Sequence, residues 1–162
     1  DYSGHMPHYD AMYEEKVAVM TSGCLISVKG FEATGGFRDE LFIDEVDNEY
    51  CMHIRRLGMK VVIINSVLLA HRLGEKRKIR FLGLFRKEYI DHAPFRFYYM
   101  TRNILYLNYL YPEYRPFNNK RLRKMLKRIV LYDQQHKWAA LRMCWRGFRD
   151  VSSIIANEKK HH

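Results

Sequence analysis

The sequence predicts an α/β fold followed by a helical, strongly basic C-terminal region. Two short apolar or β-branched runs, residues 17–20 and 60–64, have the length and composition of strands. The segments around them show helical periodicity and capping residues. Residues 115–162 contain 13 Lys and Arg against three Asp and Glu, a net charge of +10, whereas residues 1–114 contain 15 of each. This asymmetry predicts an anionic partner for the C-terminal region.

The first predicted strand, residues 17–20, ends at the segment 21–23, and residues 24–26 are its possible continuation. Ser27 is suited to be the N-cap of a short helix that reaches residue 33. The pair Gly35-Gly36 then predicts the helix stop. Such a stop explains these glycines better than a phosphate-binding loop does.

The next segment, LFIDEVDNEYCMHIRRLG, predicts a second helix with acidic residues at its start and basic residues at its end. Asp44 is the candidate N-cap, and Gly58 closes the segment. At 100° per residue, Asp47 lies beside the apolar face and Glu49 lies toward the opposite, water-facing side. The apolar face is predicted to consist of Val46, Tyr50, Ile54 and Leu57. From this pattern alone, the acids favour the helix dipole.

The remaining elements follow from composition and from Gly and Pro. Residues 60–64 and 67–70 are predicted strands, the second of which leads to His71. Residues 72–93 are basic, contain two glycines, and are predicted to form a loop and a short helix. A long aromatic helix is predicted from Pro94 to just before Pro112. Pro116 and Asn118-Asn119 predict a break, after which two basic helices start at Lys120 and near Trp138.

Several classes of protein are disfavoured by the sequence. The three cysteines, Cys24, Cys51 and Cys144, are odd in number and far apart, so we expect no disulfide framework and a reducing, cytoplasmic location. No apolar run approaches the roughly 20 residues of a spanning helix. The sequence has no recognisable signal peptide, P-loop or GxGxxG motif.

A set of motifs between residues 17 and 110 resembles family 2 glycosyltransferases, and within them the rhamnosyltransferase-like branch. These motifs are TSG, GGF, FIDEVDNE with an Arg-rich helix end, His71-Arg-Leu-Gly, and RFYYMTRN from Arg96 to Asn103. Each is weak alone, but their order and spacing together are specific.

The resemblance implies an inverting sugar transfer from a nucleoside diphosphate donor on a GT-A (Rossmann-like) fold. Such a displacement needs a base beside the acceptor hydroxyl. Asp47 matches the position of the family's catalytic Asp, and Asp44 and Glu49 are the alternatives. His53 stands where the family often has Arg. The donor sugar is possibly rhamnose, carried by dTDP, and the acceptor is a glycan or a lipid-linked glycan of a cell-surface polysaccharide.

Other residues are assigned roles by the same resemblance. His71 is a candidate ligand for Mn²⁺ or Mg²⁺, and a neutral imidazole suits Mn²⁺ better. A lone His after a strand is also commonly structural. Arg72 is a candidate phosphate contact. Thr21, Ser22 and Gly23 are candidate substrate contacts, since Gly permits close backbone approach, although an ordinary strand end fits them equally well.

The nucleotide-binding half and the DxD motif of the family precede the region seen here. We therefore expect the chain to be the C-terminal, acceptor-side part of a longer enzyme. We expect this part alone to be inactive. Residues 1–16 are assigned to a tag, linker and lead-in, residues 17–93 to the transferase part, and residues 94–160 to the helical basic region. An orphaned sheet edge would also favour oligomers.

Two other functional classes fit parts of the sequence. The basic charge and the interleaved Tyr and Arg of residues 95–115 suggest a nucleic-acid-binding module, but no RNA- or DNA-binding signature is present, so we expect no nucleic acid partner. A non-catalytic adaptor on a transferase fold is the other alternative.

Residues 118–150 are predicted to attach peripherally to the inner face of an anionic membrane without crossing it. Their apolar stripe and basic flanks are typical of helices that lie on bilayers. Packing of the same stripe against the domain is the structural alternative. The stripe consists of Leu122, Met125, Leu126, Ile129 and Val130, and a second segment carries Trp138, Leu141, Trp145 and Phe148.

Overall fold

The computed structural model describes residues 11–67, 69, 76–81, 85–90, 92–132 and 136–161. Within these ranges the chain is mostly helical, with two separate two-stranded antiparallel sheets. The elements are β1 (Tyr13–Glu15), α1 (Val28–Thr34), α2 (Val46–Arg56), β2 (Val62–Ile64), β3 (Lys76–Phe81), β4 (Phe85–Ile90), α3 (Pro94–Leu110), α4 (Arg115–Tyr132) and α5 (Lys137–His161). Short 3₁₀ turns lie at Asp39–Leu41 and Pro112–Tyr114.

The strand predicted at residues 17–20 is wrong, because this segment has no regular structure. Its side chains Ala18 and Val19 pack against α2 and Val61, so its apolar composition reflects burial and not a β-ladder. The strand of this region is instead β1, which pairs with β2 in the register Tyr13↔Ile64. β1 lies within the residues assigned to the lead-in.

The loop and short helix predicted for residues 72–93 are also wrong where the structure describes the chain. β3 and β4 pair as antiparallel strands with Phe81 opposite Phe85. The sequences of β3 and β4 both contain aromatic and β-branched residues, which favour strands. The many basic residues in the same segments obscured this signal. Of the strand predicted at residues 67–70, Val67 and Leu69 have no regular structure, and the other two residues lie outside the described ranges.

Most of the predicted helices are confirmed. Ser27 caps α1 by accepting a hydrogen bond from the backbone of Gly30, and Gly35 ends this helix at φ 72°. α2 ends before Gly58, α3 ends before Pro112, and α5 begins one residue before Trp138. The break predicted at residues 116–119 is wrong, since α4 runs through them. Pro116 is the second residue of α4, where the missing N–H of proline costs no hydrogen bond.

The main core lies between α3, α4 and α5. α3 packs most extensively against α5, and Gly147 makes this contact possible: a Cβ there would lie 2.4 Å from the carbonyl oxygen of Tyr98. Most of the predicted stripe of α4 faces inward: Met125 and Ile129 are buried, and Leu122 and Leu126 pack against this core. Val130, the last residue of the stripe, is about half exposed. The buried members of this core are Phe97, Met125, Ile129, Ala140 and Cys144.

α2 is buried from two sides and connects this helical core to the N-terminal part. Tyr50 and Ile54 are buried on one side, as the helical wheel predicted, whereas Leu57 is about half exposed. On the other side Met52 packs against Leu107 and Tyr111 of the α3 region. The second half of α2 therefore packs against the end of α3.

Candidate functional site

The backbone just before α2 is strained. The N–H of Ile43 donates to the carbonyl of Leu41 at 2.7 Å, which closes a γ-turn with Phe42 at φ 61° and ψ −61°. γ-turns with positive φ are rare and strained. Asp44 and Glu45 follow at φ 62° and 66°. Residues in such conformations each cost on the order of 1–3 kcal/mol and persist only where the surroundings hold them.

The side chain of Asn103 in α3 holds this turn by hydrogen bonds to its backbone carbonyls. This side chain is fully buried. The two hydrogens of its Nδ2 amide are shared among three carbonyl oxygens, those of Leu41 at 2.9 Å, Ile43 at 3.0 Å and Asp44 at 3.0 Å. Arg102 adds a bond from Nη2 to the carbonyl of Glu40 at 2.7 Å. The RFYYMTRN motif contributed only to the family resemblance in the sequence. In the structure its residues Arg102 and Asn103 fix the loop before α2, which carries the acids.

Asp44 is not the N-cap of α2, contrary to the prediction. The N-cap is Glu45, and neither its side chain nor that of another residue caps the helix. The carboxylate of Asp44 instead pairs with Arg96 through two bonds, from Nε at 3.1 Å and from Nη2 at 2.5 Å. Because both oxygens are engaged by a guanidinium, Asp44 fixes α3 against the loop.

Glu45 is a buried acid that was not among the predicted site residues. Both of its carboxylate oxygens accept from Arg121 of α4, and Asn48 donates to one of them at 2.9 Å. Burial raises the pKa of the Glu45 carboxyl, and the bonds from Arg121 oppose this effect. Arg121 is 76 positions away in sequence, so no local pattern indicates this pair.

Glu49 was predicted to face water, and this prediction is wrong: its side chain is 0% exposed. Its Oε1 accepts from the hydroxyl of Tyr111 at 2.5 Å and from Nε of Arg38 at 2.9 Å. Arg38 also donates to Glu158 of α5 at 3.1 Å. Burial, and then the Glu49 carboxylate, raise the pKa of Tyr111 well above its usual value. Glu49 is therefore the centre of a polar network that joins α2 to α5 through Arg38 and to the residue that follows α3, Tyr111.

Asp47 differs from these three acids. It is partly exposed. Within the described ranges its carboxylate makes one hydrogen bond, in which Oδ2 accepts from the backbone N–H of Thr21 at 3.1 Å, and no ion pair. A partly solvated, unpaired carboxylate remains able to accept a proton from a bound group.

The Thr21–Gly23 segment forms the turn beside Asp47. The N–H of Cys24 donates to the carbonyl of Thr21 at 3.0 Å, and Gly23 has φ 76°. A Cβ on Gly23 would lie 2.5 Å from Cδ2 of Leu69, so only glycine fits without displacing that side chain. The structure thus brings together Asp47 and the predicted substrate contacts Thr21, Ser22 and Gly23.

A cleft of about 680 Å³ opens beside these residues. Its lining includes Asp47 and the paired Asp44 and Glu45. Met20 and Phe42 from the preceding loops also line it. α3 and α4 contribute basic and apolar side chains, among them Arg96, Met100, Arg121, Lys124 and Arg128. A cleft lined by both a carboxylate and cations is suited to a substrate that carries a hydroxyl and an anionic group.

Two predicted site residues, His71 and Arg72, lie outside the described residues. Over the ranges that the structure describes, no group of three or more His, Cys, Asp or Glu side chains could hold a metal ion. In the same ranges no helix is both long and apolar enough to cross a membrane.

Comparison with known proteins gives one informative match. Over 103 residues, which are 64% of the chain, the sequence is 32% identical to the dTDP-rhamnosyl transferase RfbF of Shigella flexneri. The match covers 33% of that protein, so the chain spans about a third of the length of this curated relative. No family model matches the chain. No solved structure matches it either.

Proposed function

We propose that this chain is the acceptor-side part of an inverting glycosyltransferase of family 2 with a GT-A fold. The donor is a nucleoside diphosphate sugar, with dTDP-rhamnose as the first candidate. The acceptor is a hydroxyl of a glycan or lipid-linked glycan in cell-surface polysaccharide synthesis. The partial similarity to a rhamnosyl transferase supports the reaction class, and the order of the motifs in residues 17–110 supports the family.

Asp47 is the proposed base. The acceptor oxygen attacks the anomeric carbon of the donor sugar while the Asp47 carboxylate takes the hydroxyl proton. The new C–O bond forms on the face opposite the diphosphate, whose bond to the same carbon breaks, so the configuration inverts. The observation that carries this assignment is that Asp47, unlike Asp44, Glu45 and Glu49, has no cationic partner within the described ranges.

The surroundings of Asp47 support this role. The γ-turn at Phe42 and the clamp from Asn103 fix the start of α2, so the carboxylate needs little reorganisation during the reaction. The basic residues in the lining of the cleft, among them Lys124 and Arg128, are suited to a phosphate group of the substrate. Thr21, Ser22 and Gly23 would meet the sugar, and Arg72 the diphosphate.

A divalent cation, Mn²⁺ or Mg²⁺ with His71 as a ligand, belongs to this proposal. When bound, it would offset the charge of the leaving diphosphate. The described residues do not by themselves form such a site, and the proton transfer to Asp47 does not depend on it.

The test is Asp47→Asn in the full-length protein that contains this chain. We expect transfer from dTDP-rhamnose to fall on the order of 10²–10⁴-fold, because the amide cannot accept the proton. Binding of dTDP should stay unchanged. Wild-type turnover in this variant would instead assign the base to Asp44 or Glu49. Absence of any transferase activity in the wild-type protein, with every nucleotide sugar tried, would favour the adaptor.

A further inference from the structure

The outer face of α5 carries exposed aromatic and basic side chains. Trp138 and Trp145 are 81% and 65% exposed, and Phe148 is 56% exposed. The rings of Trp145 and Phe148 stack with centroids 5.8 Å apart. Exposing large aromatic side chains to water costs free energy, so a patch of three indicates a surface that is covered by a binding partner.

The orientation of α5 is fixed by its opposite face. Ala140, Cys144 and Gly147 recur at intervals of four and three residues and are buried against α3 and α4. On the reverse side, four exposed residues spaced about one turn apart alternate between aromatic and basic. These residues are Trp138, Arg142, Trp145 and Arg149.

The charge around this face indicates what covers it. Residues 115–162 carry a net charge of +10. Of the acids described there, Glu158 is held by Arg38 and Tyr106, and Asp150 pairs with Arg149 at 3.2 Å. Arg142 has no carboxylate partner within the described ranges. Tryptophan at the level of lipid headgroups, flanked by arginine, is typical of helices that lie on anionic bilayers.

We propose that the outer face of α5, formed by Trp138, Arg142, Trp145, Phe148 and Arg149, docks on the surface of an anionic lipid bilayer. The membrane contact predicted over residues 118–150 is thereby narrowed to α5, because most of the apolar stripe of α4 packs into the core. α5 would lie in the plane of the interface with its two tryptophans among the headgroups. The proposal does not depend on the chemistry at Asp47.

Intrinsic fluorescence tests this proposal directly, because Trp138 and Trp145 are the two tryptophans of the chain. The chain is mixed with vesicles of phosphatidylcholine alone or with added phosphatidylglycerol, at low and high salt, and the vesicles are then sedimented. We expect a blue shift and co-sedimentation with the anionic vesicles at low salt, and a loss of both at high salt.

Matched variants locate the contact. Arg142→Glu should weaken partitioning at least about fivefold, the contribution of one basic residue near an anionic surface, whereas Lys29→Glu on exposed α1 should have no effect. Trp145→Ala should weaken it roughly tenfold, and Leu25→Ala, at a fully exposed position, should not.

Other results would overturn the proposal. These are equal recovery from neutral and anionic vesicles, binding without a blue shift, or equal losses in the α5 variants and their controls. A blue shift that appears on raising the protein concentration without vesicles would show that the face contacts a second copy of the chain.

Discussion

The start of α2 and the C-terminal helices α4 and α5 carry opposite charges, and they place their charged side chains in different ways. At the start of α2, three of four acids are engaged by residues distant in sequence: Asp44 by Arg96, Glu45 by Arg121, and Glu49 by Arg38 and Tyr111. In α4 and α5, exposed basic residues surround a stripe that the helical period alone identifies.

This difference shows when the burial of a charged side chain can be predicted from the neighbouring sequence. On a helix whose neighbours are also helices, the apolar period decides which face is buried and the charges follow. Beside an irregular loop, tertiary partners decide, and an acid can be buried at a position that a helical wheel assigns to water. Asp47 stands out because it is the acid in this cluster that no cation holds within the described ranges.

The largest effect is expected at Glu49. Glu49→Leu leaves Arg38 and Tyr111 without their shared acceptor in the interior. Breaking a buried pair by removing one partner costs about 3–5 kcal/mol of unfolding free energy. Urea unfolding measures this loss, and Glu32→Leu on the exposed side of α1 is the control, with an expected change below about 0.5 kcal/mol. Equal changes in both variants would show that Glu49 is not structural.

A smaller effect is expected at Asn103. Asn103→Leu keeps the volume but leaves the carbonyls of Leu41, Ile43 and Asp44 without their donor. We expect a loss of about 2–3 kcal/mol and faster hydrogen exchange at residues 42–46. Asn108→Leu, which removes a surface bond to Asn119, should cost less than about 1 kcal/mol. Unchanged exchange in the loop would mean that the clamp does not hold the strained turn.

Substitution of Gly147 tests the packing of α5 against α3. In most helices Gly→Ala is stabilising by about 1 kcal/mol. Here the added Cβ would meet the Tyr98 carbonyl at 2.4 Å, so Gly147→Ala should destabilise by about 1–2 kcal/mol. Thermal unfolding gives the sign, and a stabilised variant would contradict the close contact between α3 and α5.

The smallest effect concerns Cys24, which reports on the charge of Asp47. Burial, and then the Asp47 carboxylate, raise the pKa of the Cys24 thiol. Asp47→Asn should therefore lower this pKa, increase the thiolate fraction at a fixed pH, and accelerate alkylation by roughly two- to fivefold. Mass spectrometry after iodoacetamide treatment measures the rate at Cys24, and Glu32→Gln should leave it unchanged. Equal rates of Cys24 alkylation in wild type and Asp47→Asn would show that the Asp47 carboxylate does not influence the Cys24 thiol.

The sequence was sufficient for most of the helices and insufficient for the site. Ser27, Gly35 and Pro112 punctuate α1 and α3 through local chemistry that any helix shares. The γ-turn at Phe42 has no such signal, because a non-glycine residue at positive φ is disfavoured locally and persists only through Asn103, 61 positions later. The position of Asp47 beside the apolar face followed from the helical period, whereas the pairing that distinguishes it from its neighbours did not.

The assignment of roles within α2 is tested most directly by measuring turnover and unfolding for Asp47→Asn and Glu49→Gln in the same full-length protein. We expect Asp47→Asn to lose turnover on the order of 10²–10⁴-fold with its unfolding midpoint unchanged. Glu49→Gln should lower the midpoint and keep its turnover per folded molecule. The reverse pattern, a stable Glu49→Gln without turnover and an unstable but active Asp47→Asn, would contradict the assignment of Asp47 as the base.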